Sequence, residues 1–149
     1  MEHFNKYDLA MYIAITHFKN HTDKGGSPYI NHLLRVTESV LDCVDNTYKI
    51  VALLHDLLEE FPYYHNTQLI ETLFDEEISD AVYALTKTKK QSYEQYIDQV
   101  CQNRIAMIVK LADLKDNMDI SRLTTISNKD MERLVKYHNA YNFIKSKSI

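Results

Sequence analysis

A chain of 149 residues is long enough for one domain with a sizeable core and too short for two ordinary ones. Its formal charge of −4 argues against a general nucleic-acid binder, and the lack of any long uncharged apolar run argues against a membrane span. Two glycines and two prolines are too few for a sheet-rich fold with many tight turns.

Apolar residues recur at helical spacing nearly throughout. Phe4 to Phe18 reads as a first helix, with Leu9, Ile13 and Phe18 near one face. HTDKGGSPY is a loop, and Tyr29 to Val44 reads as a second helix through Leu33, Val36, Val40 and Leu41. Asn46 is placed to cap a third helix that runs to about Glu60 and stops near Pro62. Asn66 to Leu73 reads as a short helix, and Asp75 to Lys87 as another with Ile78, Val82 and Leu85 inward. TKTKKQS breaks the pattern before Tyr93 to Cys101 and Arg104 to Met118. Asn128 to Lys145 closes the chain, with Asn128 or Asp130 near its cap. The expectation is an all-α single domain, residues 1–149, of about seven or eight helices. The N-terminus, MEHFNKYDLA, lacks a signal-peptide pattern, and Cys43 and Cys101 show no paired spacing. Free thiols in a cytoplasmic protein are expected.

Chemistry concentrates in VALLHDLLEE, where His55, Asp56, Glu59 and Glu60 end an apolar run. On one continuous helix, His55 and Glu59 share a face, as do Asp56 and Glu60. Neighbouring residues point about 100° apart, so His55 and Asp56 can both reach an ion between them. Glu59 and Glu60 then stand where a metal-bound water needs a base or an orienting carboxylate. With seven histidines in the chain, the pair alone is more readily a product of chance than a metal site. Two further acid-base residues add weight. His32 lies on the first turns of a helix whose apolar face enters the core, and Asp113 follows an apolar run inside a helix. A buried aspartate is costly unless it is paired or bound to a cation. Three helices would thus supply four ligands, as helical bundles do elsewhere.

The ordered segments DKGGSPYINHLLRV, LLHDLLEE, ALTK followed by SYEQYI, and VKLADLKDNMDISRL resemble the HD-domain metal phosphohydrolases. Within them the chain looks most like the hydrolase domain of the RelA/SpoT alarmone enzymes and its small stand-alone relatives. YHNAYNFI is similar to that family's last helix. The resemblance implies metal ligands at His32, His55, Asp56 and Asp113, with manganese as the usual ion. It implies water activation by Glu59 and Glu60, and nucleotide contacts at Lys24 and Asn117. Tyr29 joins the substrate candidates because it adjoins Lys24 and His32. The implied reaction splits a pyrophosphate ester from a small nucleotide, without a synthetase domain. Two departures fall where the substrate is expected: Asp23 replaces an Arg before Lys24, and Leu114, Lys115 and Asp116 replace Arg-Leu-His. They keep two alternatives open, a phosphatase for another nucleotide or phosphorylated metabolite, and a metal-bearing nucleotide sensor without turnover.

Lys24, Lys87, Lys110, Lys115 and Arg122 are cations that could offset phosphate charge. His3, His17, His21, His65 and His138 match no ligand position, and His21 reads as a solvent-exposed loop residue. The eleven tyrosines read chiefly as packing residues. Ser27 and Ser92 have no triad context.

Overall fold

The helices begin where short polar side chains can take up free backbone amides. Asn5 accepts from the Asp8 amide, Asn103 accepts from the Ala106 amide, and Ser92 forms a reciprocal capping box with Gln95. The computed structural model describes residues 5–40 and 46–147. Among these the chain is all α, with nine α-helices, seven of them eight residues or longer. In order they are α1 (Lys6–Phe18), α2 (Ile30–Ser39), α3 (Thr47–Leu54), α4 (Leu57–Glu60), α5 (Leu69–Leu73), α6 (Glu76–Ala84), α7 (Tyr93–Val100), α8 (Arg104–Asn117) and α9 (Asn128–Lys147). Two 3₁₀ turns, Pro62–Thr67 and Ile120–Arg122, complete the order.

The middle of the fold is α3. Val51, Ala52, Leu53 and Leu54 are all fully buried, so this helix is apolar all round and needs neighbours on every side. It receives them from α1, α2, α6 and α8. Each buried aliphatic side chain contributes about 1.5–3 kcal/mol relative to an exposed one. The consequence for function is positional: the C-terminal end of α3, the first turn of α2 and the last turn of α8 meet inside the core.

Several boundaries differ from the sequence expectation. The helix expected from Asn46 to Glu60 is interrupted at His55 and Asp56, which separate α3 from α4. The His55 side chain explains part of this: its Nδ1–H donates to the Ala52 carbonyl at 2.6 Å, occupying that acceptor. Asn46 does precede α3, but in a left-handed conformation (φ 57°) and without a side-chain cap. The second helix ends at Ser39, and Leu41, Cys43 and Val44 lie outside the described residues. The helix expected over 66–73 is a 3₁₀ turn and α5, split by Gln68 at φ 52°. The helix expected to reach Lys87 stops at Ala84 because tertiary partners claim the next backbone groups. Tyr96 Oη donates to the Leu85 carbonyl, and the Lys87 amide donates to Glu59. Ser127, not Asn128 alone, caps α9: its Oγ accepts from the Asp130 amide, and the Asp130 carboxylate accepts from the Ser127 amide. Cys101 is a free thiol. No helix among the described residues is long and apolar enough to cross a membrane.

Candidate metal centre

His32 and His55 meet edge to face, ring centroids 5.5 Å apart, and both are buried. Their Nδ1 atoms are committed. That of His55 donates to the Ala52 carbonyl, and that of His32 lies 2.6 Å from Asp116 Oδ2. Both partners only accept, so each neutral ring carries its hydrogen on Nδ1 and presents a bare Nε2. Neither Nε2 has a hydrogen-bond partner of its own, although both are buried. Each faces carboxylate oxygens instead. His32 Nε2 is 3.1 Å from Asp113 Oδ1 and 3.7 Å from Asp56 Oδ2; His55 Nε2 is 3.4 Å and 3.2 Å from the same two atoms. Lone pairs converging on lone pairs are stable only around a positive charge. Donors about 2.1 Å from one shared divalent ion stand roughly 3.0–3.4 Å apart at angles of 90–110°. Three of the four separations fall in that range and the fourth, 3.7 Å between His32 and Asp56, is somewhat longer, so the group fits a divalent ion with a small closing movement. The ligand atoms of His32, His55 and Asp56 lie within 4.8 Å of one another and form the compact part of the group.

Electrostatics agree with this reading. Burial lowers the pKa of His32, but the Asp113 and Asp116 carboxylates beside the ring outweigh it and hold the ring up at about 9. Burial likewise opposes charge on His55, yet Asp56 and Asp113 raise it well above the usual range. Burial disfavours the Asp113 carboxylate, and Lys110 with the two histidines reverses that, holding it well below its ordinary value. Without a metal, protons on the imidazoles supply the cation the carboxylates demand.

The outer contacts orient the acids. Tyr29 Oη donates to Asp56 Oδ2 at 2.5 Å. Lys110 Nζ donates to Asp113 Oδ2 and Asn117 Nδ2 to Asp113 Oδ1, each at 2.8 Å. The cluster opens on a cavity of about 550 Å³, lined among others by Lys24, Tyr29, Asp56, Glu59, Glu60, Asp113 and Asn117. Glu59 accepts from the Lys87 amide at 2.6 Å, and burial raises its pKa in spite of that bond.

A family model for the HD domain matches residues 10–120, which include His32, His55, Asp56 and Asp113. The chain belongs to the HD-domain family. It is an HD-domain phosphohydrolase whose buried His/Asp cluster is suited to a metal ion.

For this HD domain, the nine residues singled out from sequence all lie at the cluster or on the cavity wall. Lys87, Lys110 and Arg122 also line the cavity, whereas Lys115 is exposed and does not. His21 departs from expectation: it is half-buried, between the rings of Phe18 and Phe61. The two departures expected near the substrate part company, since Asp23 lines the cavity and Asp116 does not. Asp23 Oδ1 accepts from the Gly25 and Ser27 amides and so shapes its own loop. Asp116 is absent from the cavity wall and lies behind His32. Sequence reasoning missed Arg35, Arg133 and Lys136, and took Tyr93 and Tyr137 for packing although both line the cavity. For Arg35 a signal existed: it lies three residues after His32, as Asp116 lies three after Asp113.

Proposed function

We propose that this HD domain removes the 3′-pyrophosphate from guanosine tetraphosphate-type alarmones in a metal-dependent hydrolysis. The observation that carries the reading is the set of cations on the cavity wall, which they share with Asp23, Asp56, Glu59, Glu60, Asp113, Asp119 and Asp130. Lys24, Lys87, Lys110, Arg122, Arg133 and Lys136 surround an opening that leads to the histidine-carboxylate cluster. Lys24, Lys87 and Lys136 make no ion pair among the described residues. Partial burial and then neighbouring positive charge, chiefly Arg133 for Lys24 and Lys110 for Lys136, pull both lysines below their usual pKa. Cations crowded against one another favour a polyanionic ligand. The volume falls within the range of about 300–1,000 Å³ usual for small-molecule sites.

In this reading His32, His55, Asp56 and Asp113 hold the divalent ion, manganese on the family resemblance. Bound there, it supplies an acidified water and draws charge from a phosphate oxygen. Glu59 takes the proton of the attacking water; burial raises its pKa above the ordinary glutamate value. Glu60, on the same wall, orients that water. Tyr29 holds Asp56 and Asn117 holds Asp113, and both face the cavity where the nucleotide would lie. Lys24, Arg133 and Lys136 balance the remaining phosphate charge. The water's hydroxyl bonds to the phosphorus next to the ribose, the ester bond to the 3′ oxygen breaks, that oxygen takes up a proton in balance with the one passed to Glu59, and guanosine diphosphate and pyrophosphate leave.

The test is incubation of the purified chain with guanosine tetraphosphate and Mn²⁺, with Glu59→Ala as control. Release of guanosine diphosphate and pyrophosphate, lost in the control, is expected. Metal binding without turnover overturns the alarmone reading. Orthophosphate released from another nucleotide would favour the phosphatase alternative, and a stable complex without product the sensor.

A further inference from the structure

We propose that Asp116 is the positioning residue of the metal centre: it sets the tautomer of His32, and Arg35 and Arg122 hold it to that task. The inference rests on reading His32 as a metal ligand, but on no particular substrate. Asp113 and Asp116 are three residues apart on α8 and so share a face. One imidazole is gripped between them, with Asp113 Oδ1 3.1 Å from Nε2 and Asp116 Oδ2 2.6 Å from Nδ1. The Asp116 side chain is only 10% exposed, and both its oxygens are taken by cations as well as by the ring. Arg35 Nε donates to Oδ1 at 2.7 Å and its Nη2 to Oδ2 at 3.1 Å. Arg122 Nη2 donates to the Asp116 carbonyl at 2.5 Å and reaches Oδ2 at 3.3 Å.

Two guanidiniums on one carboxylate keep it ionised, and an ionised carboxylate can only accept. The hydrogen of a neutral His32 is therefore forced onto Nδ1, and the lone pair onto Nε2, toward Asp56 and Asp113. The fork geometry of Arg35 also fixes the plane of the carboxylate, and with it the tilt of the ring. A surface role does not explain these contacts, because the shortest of the carboxylate's bonds goes to the buried histidine. Nor does a substrate role, because Asp116 does not line the cavity.

Asp116→Asn tests this directly. An asparagine of the same shape can offer the ring either an oxygen or an amide hydrogen, so the tautomer is no longer enforced. Mn²⁺ affinity of the full chain, measured by calorimetry, should fall about 10–100-fold. Lys115→Ala, on the exposed side of the same helix, should leave it unchanged. In the metal-free chain, at a pH high enough for His32 to be neutral, long-range ¹H–¹⁵N spectra of labelled histidine should show His32 protonated on Nδ1 in the wild type. The Nδ1 signature should weaken or split in Asp116→Asn. Arg35→Gln keeps the carboxylate but frees its plane, and should cost about 3–10-fold in affinity, a fraction of the loss for Asp116→Asn. If Asp116→Asn fails to fold, Arg35→Gln decides the matter. Equal Mn²⁺ affinity in wild type and variants, with an unchanged His32 spectrum, overturns the proposal while leaving the hydrolase reading intact. Guanosine tetraphosphate left intact by a wild type that binds Mn²⁺ defeats the substrate reading, and the affinity loss in Asp116→Asn would still support the role of Asp116.

Discussion

Lys110→Met should weaken the fold and tighten metal binding at the same time. Lys110 Nζ lies 2.8 Å from Asp113 Oδ2, with both side chains nearly buried. At an effective dielectric of 20, charges that close attract by roughly 6 kcal/mol before desolvation is subtracted. Removing one partner of such a pair typically costs about 3–5 kcal/mol, because the other charge stays buried. Methionine keeps the length and the apolar cover over the Tyr96 ring, 5.1 Å below Nζ, so the loss is mainly of charge. In a domain of this size, about 2–4 °C accompanies each kcal/mol, so the metal-free melting temperature should drop by roughly 10 °C. The sign reverses for a cation at the cluster. Lys110 is a positive charge bonded to one oxygen of Asp113 while the other oxygen faces the histidines. Its removal takes away repulsion, and Mn²⁺ should bind at least about tenfold tighter, some 1.4 kcal/mol. Differential scanning fluorimetry in chelator and in Mn²⁺, with calorimetric titration, measures both effects. A metal-free melting temperature close to wild type, or weaker Mn²⁺ binding, would refute the reasoning.

His55→Ala removes a buried member of the histidine-carboxylate cluster and its bond to Ala52; on the proposed ligand role it should abolish measurable Mn²⁺ binding by calorimetry while turnover falls more than about 10³-fold. For the wild type, free Mn²⁺ at about 100 times Kd should stabilise the fold by about 2.7 kcal/mol, and a chelator should remove a corresponding 5–10 °C from the melting temperature. On the proposed role of Glu59 as base, burial that raises its pKa means kcat/KM should climb with pH along a limb above the ordinary glutamate range. Glu59→Gln should erase that limb and lower turnover about 10²–10⁴-fold with metal affinity nearly kept. Leu54→Ala opens a cavity at the fully buried C-terminal half of α3 and should cost about 2–5 kcal/mol by urea unfolding.

The helical character of this chain was legible because apolar periodicity and cap residues act locally. Ser92, Asn103 and Asn5 begin their helices through bonds to amides only three residues away. The His-Asp pair and the apolar runs that lead to it were legible for the same reason. Helix ends were less so. Whether the segment after Ala84 continues depends on Tyr96, Gln99 and Glu59, which reach it from other elements. The break at His55 depends on a side-chain bond back to Ala52 that no periodicity announces.

By itself, then, the sequence determined an all-helical HD domain and the residue types its centre draws on, because those follow from local pattern and ordered motifs. The tertiary structure alone decided how they meet. It turned the Nε2 atoms of His32 and His55 toward two carboxylates, and set Asp116 behind the ring and not on the cavity wall. It also brought Arg133 and Lys136 of the last helix to the same cavity as Lys24. Hydrogen-bond direction and charge proximity across a core are properties of packed surfaces, and residues more than a hundred positions apart acquire them only when the chain has folded.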